Sequence, residues 1–366
     1  MNPFSSVYYV KENIKRSLLL IIMFILTFAV YMAGLYISNV ESMFNIILEK
    51  DKKVALIGST ATDKDCIDYK KAIEILEKKE GITLLHQGIA SDIYSTSVMG
   101  FNNGYVSYTF QNKEDFQTYC DFTGINIIEN NQDRGLCDGS VIMSRLQAAN
   151  RGMETGDRLV AGTDELVSQE YTLDAITDND SYSTFYISDT DSARCMVLNN
   201  SLDNSAFKSL FKNIETKYNV YVRDYDYYKE RTSEQLGNFY YIYFFVIILL
   251  SVIMAVTVNA AFAGMYQHRN GEFAIYKAMG IPARKIRFKI LSEVLLIDIT
   301  GLLAGLCIIM AVIYMANNLY LIPHGLKLFY YNNMSMAGMV ISNLIILIPV
   351  TIFQGSKLVR ADICDY

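Results

Sequence analysis

The chain has 366 residues, 52% of them hydrophobic, with four Pro, no Trp and a formal net charge of −6. The charge is unevenly placed: residues 40–238 hold 32 acidic and 20 basic residues, a balance of −12, while the remainder holds 6 acidic and 12 basic, a balance of +6. Such a chain lacks the basic footprint of a nucleic-acid binder, and no nucleic-acid partner is expected. Composition alone does not separate a large globular protein from a membrane protein; the distribution of apolar residues does.

Residues 1–16 predict a cytoplasmic interfacial helix, with Tyr8, Tyr9 and Ile14 toward lipid and Lys11, Lys15 and Arg16 toward headgroups. Residues 18–37 carry no charge over twenty positions, enough helix to cross a hydrocarbon layer of roughly 30 Å. This first span, placed at 17–39, is longer than a secretory signal core and is followed by no small-x-small cleavage site, so it reads as a retained anchor.

Residues 40–238 are enough for a core of their own. Thr62 or Asp63 caps a helix running to about Lys79, Gly81 ends it, and 82–89 reads as a strand. Strands are expected at 106–110, 140–143, 171–176 and 184–187, with Gly156-Asp157 forming a tight turn. Near the far end the first order recurs, a helix at 204–217 and a strand at 219–223. Two helix–strand units flanking the entry and exit of the membrane predict a membrane-proximal α+β subdomain.

Three further apolar runs follow. Residues 239–265 have no charge, 295–315 carry only Asp298 within a span placed at 291–315, and 336–353 again have none. Lys and Arg crowd the intervening 266–290, whereas the loop 316–335 has just Lys327. Short basic flanks stay in the cytoplasm, which puts both termini (including the tail 354–366) and 266–290 inside and 40–238 outside. The aromatics Phe239, Tyr240, Tyr241, Tyr243, Phe244 and Phe245 fit an interfacial belt. Asp298 and Glu293 are candidates for helix packing or gating. Gly301 and Gly305, spaced Gly-x-x-x-Gly, would let a neighbouring helix come close.

The segment Gly271-Glu-Phe-Ala-Ile-Tyr-Lys-Ala-Met-Gly-Ile-Pro-Ala-Arg-Lys-Ile286 reads as a short helix, a break and a new helix. Gly280 suits the left-handed residue after a helix and Pro282 the start of the next. A helix of about two turns is unstable alone, so something must hold it. Phe273, Ile275, Tyr276 and Met279 are expected to form an apolar side for burial in a soluble partner, with Glu272 favouring the helix start and Lys277 adding charge.

Chemistry of other kinds is not indicated. His86, His268 and His324 fall in three topologically separate regions, and no cysteine spacing resembles a metal site. Cys66, Cys120, Cys137 and Cys195 permit two disulfides or free thiols. No Gly-x-x-x-x-Gly-Lys-Ser/Thr loop occurs, so no catalytic residue, cofactor site or metal site is assigned and no enzyme activity is expected.

The segment 271–286, together with the strand–helix–Gly-Asp–strand passage at 141–159, resembles FtsX-like and MacB-like ABC transporter permeases, the type VII membrane subunits. The resemblance implies an α-helical membrane protein with four transmembrane helices and an α+β extracytoplasmic domain, the MacB-like core domain, inserted between helices 1 and 2. It implies a separate ABC ATPase in two copies that binds ATP and Mg, and a second permease subunit, identical or homologous. It also implies ATPase coupling through Glu272, Phe273, Ile275, Tyr276, Lys277, Met279, Gly280 and Pro282, by mechanotransmission. The cargo would be a peptide, antibiotic, lipid or similar hydrophobic molecule handled at the outer face. Alternatively, an FtsX-like complex would activate an external cell-wall hydrolase and move no solute.

Overall fold

The computed structural model describes residues 21, 28–59, 67–89, 91, 93–96, 102–104, 106–160, 167 and 169–360. The predicted interfacial helix, residues 17–20 and 22–27 of the first span, the cap at Thr62 or Asp63, Cys66, Cys364 and the last six residues lie outside them. Two compact units emerge: a sheet unit of Val40–Gln235 with Asn317–Lys327, and a helical unit of Met1–Asn39, Leu236–Ala316 and Leu328–Tyr366.

The sheet unit contains β1 (Val54–Ser59), α2 (Ile67–Glu77), β2 (Ile82–Gly88), a small hairpin of β3 (Tyr94–Thr96) and β4 (Asn102–Gly104), and β5 (Val106–Phe110). There follow α3 (Lys113–Thr123), β6 (Ile127–Asn130), β7 (Ser140–Ser144), α4 (Arg145–Arg151), β8 (Arg158–Leu159), β9 (Tyr171–Thr177), β10 (Ser183–Ile187), β11 (Asp191–Asn199), α5 (Asn204–Lys217) and β12 (Val220–Arg223). The main sheet runs β12-β1-β11-β2-β5-β10-β7-β9-β6, with β8 added on β9. It is mixed, since β5·β10 and β7·β9 pair in parallel and the other pairs are antiparallel.

The two predicted helix–strand units do meet in one subdomain. Side chains of a strand alternate between faces, and β11 uses both. Cys195 and Val197 join Ala72 and Leu76 of α2 and Phe207, Phe211 and Ile214 of α5, whereas Met196 and Leu198 join Phe116 and Tyr119 of α3. In the other half of the sheet, Phe185 packs its ring against those of Tyr108, Phe110, Phe116 and Tyr119 at 5.5–6.4 Å between centroids. Each such buried ring or aliphatic side chain stabilises the fold by about 1.5–3 kcal/mol.

Local grammar sets the helix ends. Asn112 Oδ1 accepts from the Asp115 N–H at 2.7 Å to open α3, and Gly124 closes it in the left-handed region at φ 71°. Gly156, at φ 100°, makes the expected turn before β8, and its N–H reaches the Leu173 carbonyl. His86 is an exposed strand residue. Cys120, Cys137 and Cys195 are all free thiols, which removes any disulfide among these three; burial pushes the Cys120 and Cys195 thiols up to about 12.

Residues 317–327 belong to this unit rather than forming a plain loop. A π turn (Asn317–Leu321) and a 3-10 turn (Ile322–His324) end at Gly325 with φ 67°. The Tyr182 hydroxyl donates to the Gly325 carbonyl, and Asn150 Nδ2 donates to the carbonyls of Thr96, at 2.9 Å, and His324, at 3.3 Å.

The remaining helices are α1 (Phe28–Lys50), α6 (Tyr225–Gln267), α7 (Asn270–Ala278), α8 (Ala283–Ala316) and α9 (Asn333–Arg360). Among the described residues three helices are long and apolar enough to cross a membrane: Tyr225–Gln267, Ala283–His324 and Asn333–Phe353. Inside the helical unit, Val258 and Phe262 of α6, Ile290, Val294 and Ile297 of α8, and Ile346 and Val350 of α9 share one core. The aromatic run divides: Phe239, Tyr241 and Phe245 are exposed, while Tyr243 turns inward and donates to the Val30 carbonyl at 3.1 Å. Gly34 and Gly338 make room for it, because a Cβ at either would collide with the Tyr243 hydroxyl.

Candidate coupling site

The short helix α7 is built as its sequence requires. Its C-terminus closes by a double hydrogen bond: the Ile281 N–H reaches the Tyr276 carbonyl at 3.1 Å, and the Gly280 N–H reaches that of Lys277 at 2.9 Å. This is the six-to-one and five-to-two pattern that needs a left-handed residue, and Gly280 sits at φ 76°. The Pro282 carbonyl then accepts from Lys285 and Ile286, opening α8.

What holds α7 is a buried ionic cluster. Arg269, in the turn after α6, aims its guanidinium at two carboxylates. Nε and Nη2 donate to Glu272 of α7 at 2.8 and 3.1 Å, and Nη1 and Nη2 donate to Glu293 of α8 at 2.6 and 3.3 Å. A planar fork is suited to bridging two acids in this way. Lys289 closes the ring from α8, with Nζ 3.4 Å from Glu272 and 3.1 Å from the Tyr276 hydroxyl, which itself donates to Glu272 at 2.8 Å. Two cations meet two anions, so the cluster is formally neutral. Phe273 packs under Arg269 at 5.0 Å and Tyr276 under Lys289 at 4.8 Å.

Burial makes these contacts count. Arg269 is 7% exposed and Glu293 0%. Burial works against ionisation of Glu272, but its bonds to Arg269, with help from Tyr276 and Lys289, outweigh it and hold the carboxyl at about 2. Arg269 is likewise opposed by burial, yet the two carboxylates raise it above the usual arginine range. A depressed carboxylate contributes stability above its unfolded value and loses it only as pH falls through the folded one. The difference in melting temperature between the wild type and a Glu272→Gln variant is therefore expected to stay constant from neutral pH to about pH 5. Thermal scans across that range check it.

The four apolar residues expected on one partner-facing side are divided, and this corrects the sequence reading. Phe273 and Tyr276 are buried among α6, α8 and α9, because a two-turn helix needs anchors of its own. Ile275 and Met279, one turn apart, are each 61% exposed. Glu272 serves the cluster more than the helix start. In the sequence Arg269 and Lys289 read only as part of the basic flank 266–290; the signals of the cluster are the Arg269–Glu272 spacing and the Lys289–Glu293 step of one turn.

The other named residues lie farther along α8. Asp298 accepts from Asn343 of α9 at 2.9 Å, and Gly301 is buried. A Cβ at Gly305 would run into the Phe28 ring of α1, so this glycine does permit close helix approach. Among the described residues no group of His, Cys, Asp and Glu could hold a metal ion.

Residues 243–356, which include the whole cluster, match the family described as FtsX-like permease C-terminal. Over these residues the chain is similar to FtsX-like permeases. Two solved structures are similar to it. One is a domain of a protein described as a permease from Porphyromonas gingivalis, 10% identical, covering 47% of this chain and 89% of that one, with a TM-score of 0.27. The other is the extracellular domain of the noncanonic ABC-type transporter YknZ from Gram-positive bacteria, 11% identical, covering 47% and 100%, with a TM-score of 0.28. No curated protein matches.

Proposed function

We propose that this chain is the membrane subunit of a MacB-type transporter driven by a separate ATPase pair, which binds ATP and Mg. Its sheet unit lies outside the cell, its termini and α7 lie inside, and it pairs with a second permease subunit. Cargo of the peptide, antibiotic or lipid class is handled at the outer face. One observation carries the reading: Glu272 of α7 is held by the buried cations Arg269 and Lys289, the latter on α8, yet α7 leaves Ile275 and Met279 exposed at one-turn spacing. A helix held so firmly passes on any push it receives, and an exposed apolar pair gives a soluble partner something to hold.

Truncating one such anchor at a buried interface costs about 1–3 kcal/mol, a tenfold to hundredfold loss of affinity. Met279→Ala is expected to weaken ATPase association by that factor without lowering the melting temperature. Tyr276→Ala is expected to lower the melting temperature, because that ring is part of the protein's own core. Co-purification and thermal scans on the two variants separate these roles. Unchanged association in an Ile275→Ala/Met279→Ala variant would remove α7 as the coupling element.

A further inference from the structure

The basic residues around α7 fall into two classes. Arg269 and Lys289 are buried and paired with carboxylates. Arg284, Lys285 and Arg287, in the first turns of α8, are exposed, and their side chains have no hydrogen-bond or ion-pair partner among the described residues. No acidic residue stands in that first turn to meet the helix dipole, so two of the cations oppose it uncompensated.

Their position says what compensates them. Lys285, Phe288, Ser292, Leu295, Ile299 and Leu303 recur at steps of three and four, one side of a helix. That side faces away from the core: Phe288 is 70% exposed, and Ile299 and Leu303 are exposed too. An exposed apolar stripe on a membrane-spanning helix is a lipid-facing stripe, and here it ends in an aromatic ring and unpaired cations. Aromatic and basic residues at such an end sit at headgroup level.

We infer that Arg284, Lys285 and Arg287, with Phe288, form a binding site for the phosphate headgroups of anionic phospholipid in the leaflet at the start of α8. The cations bind the headgroup phosphate and Phe288 lies against the upper acyl chain. The site is separate from the Ile275–Met279 pair, and it depends on no ATPase.

The test uses the full chain in nanodiscs of equal parts phosphatidylglycerol and phosphatidylcholine, released and weighed by native mass spectrometry. The wild type is expected to retain phosphatidylglycerol preferentially. Arg284→Gln/Lys285→Gln/Arg287→Gln is expected to lose that preference by about tenfold, and the charge-retaining Arg284→Lys/Arg287→Lys to keep it. Lys78→Gln/Lys79→Gln, which removes exposed charge from the sheet unit, is expected to change nothing. A wild type that retains both lipids equally overturns the inference whatever the variants do, and so does a triple variant that still prefers phosphatidylglycerol. Displacement of the lipid by excess inorganic phosphate would show a free-anion site and overturn it as well. Loss of ATPase association with lipid retention intact would assign these residues to coupling instead. Failure of the Met279 test leaves every one of these lipid readouts standing.

Discussion

Arg269→Met is expected to destabilise the helical unit by about 3–5 kcal/mol, the cost of leaving a buried charge without its partner. Glu293 is the reason. It is fully buried, and Arg269 gives it two of its hydrogen bonds, at 2.6 and 3.3 Å. Lys289, the other cation of the cluster, bonds to Glu272 and Tyr276. The methionine keeps much of the packing on Phe273 while removing the charge, so the measurement reports electrostatics rather than a cavity. A second change decides the mechanism. Glu293→Gln in the Arg269→Met background removes the orphaned charge and is expected to recover most of the loss. Melting temperatures of the four proteins in a double-mutant cycle give the coupling energy. A double variant no more stable than Arg269→Met would mean that the guanidinium acts through Glu272 alone. In the recovered double variant the Arg269 bridge between α7 and α8 is gone and only the Lys289–Glu272 pair joins them by charge, and ATP-dependent function is expected to stay low even though the protein is folded. That separation of stability from function is what a transmission element should show.

Much of this architecture was legible in the sequence because single-residue signals dominate it. Gly81, Gly156 and Gly280 all adopt the positive φ their positions imply, and strands at 106–110, 140–144 and 171–177 follow from β-favouring runs between turns. The helix–strand units at either end of the sheet unit were recognisable for the same reason. β1, α3, β6, β11 and the β3–β4 hairpin were not. β11 holds a four-residue apolar run, 195–198, without alternation, as expected of a strand buried on both faces, and periodicity cannot register it. α3 has a low apolar content, and its signature was the cap, Asn112 followed by Asp115. In the candidate coupling site the helix, its glycine stop and its proline restart could be read. Which apolar residues face inward could not, because the orientation of a two-turn helix is set by tertiary anchors 13 to 24 residues away in sequence, Lys289 to Tyr276 and Arg269 to Glu293.

Gly325→Ala is expected to release residues 317–327 from the sheet unit. Two costs combine at this position. Its φ of 67° lies in the left-handed region, which penalises an L side chain by about 1–2 kcal/mol. A Cβ there would also press into the Leu146 carbonyl and the Asn150 N–H of α4, and overpacking against backbone costs a further ~1–3 kcal/mol. Backbone atoms of a helix cannot step aside as a flexible side chain would. Bonds from Tyr182 to the Gly325 carbonyl and from Asn150 to that of His324 help hold the segment, with Leu321 and Leu326 buried beside them. The strain is confined to one turn of this segment, so the penalty is expected to appear as a local opening rather than global unfolding. Hydrogen exchange is expected to rise in 317–327, while β11 keeps its protection. Tyr182→Phe removes one hydrogen bond without adding a clash and is expected to open the same segment less. If Gly325→Ala exchanges like the wild type, the 317–327 segment is held by something other than this glycine-mediated fit. If the variant stays folded with the segment open and loses ATP-dependent function, motion of the sheet unit depends on the connection between α8 and α9 as well as on α6.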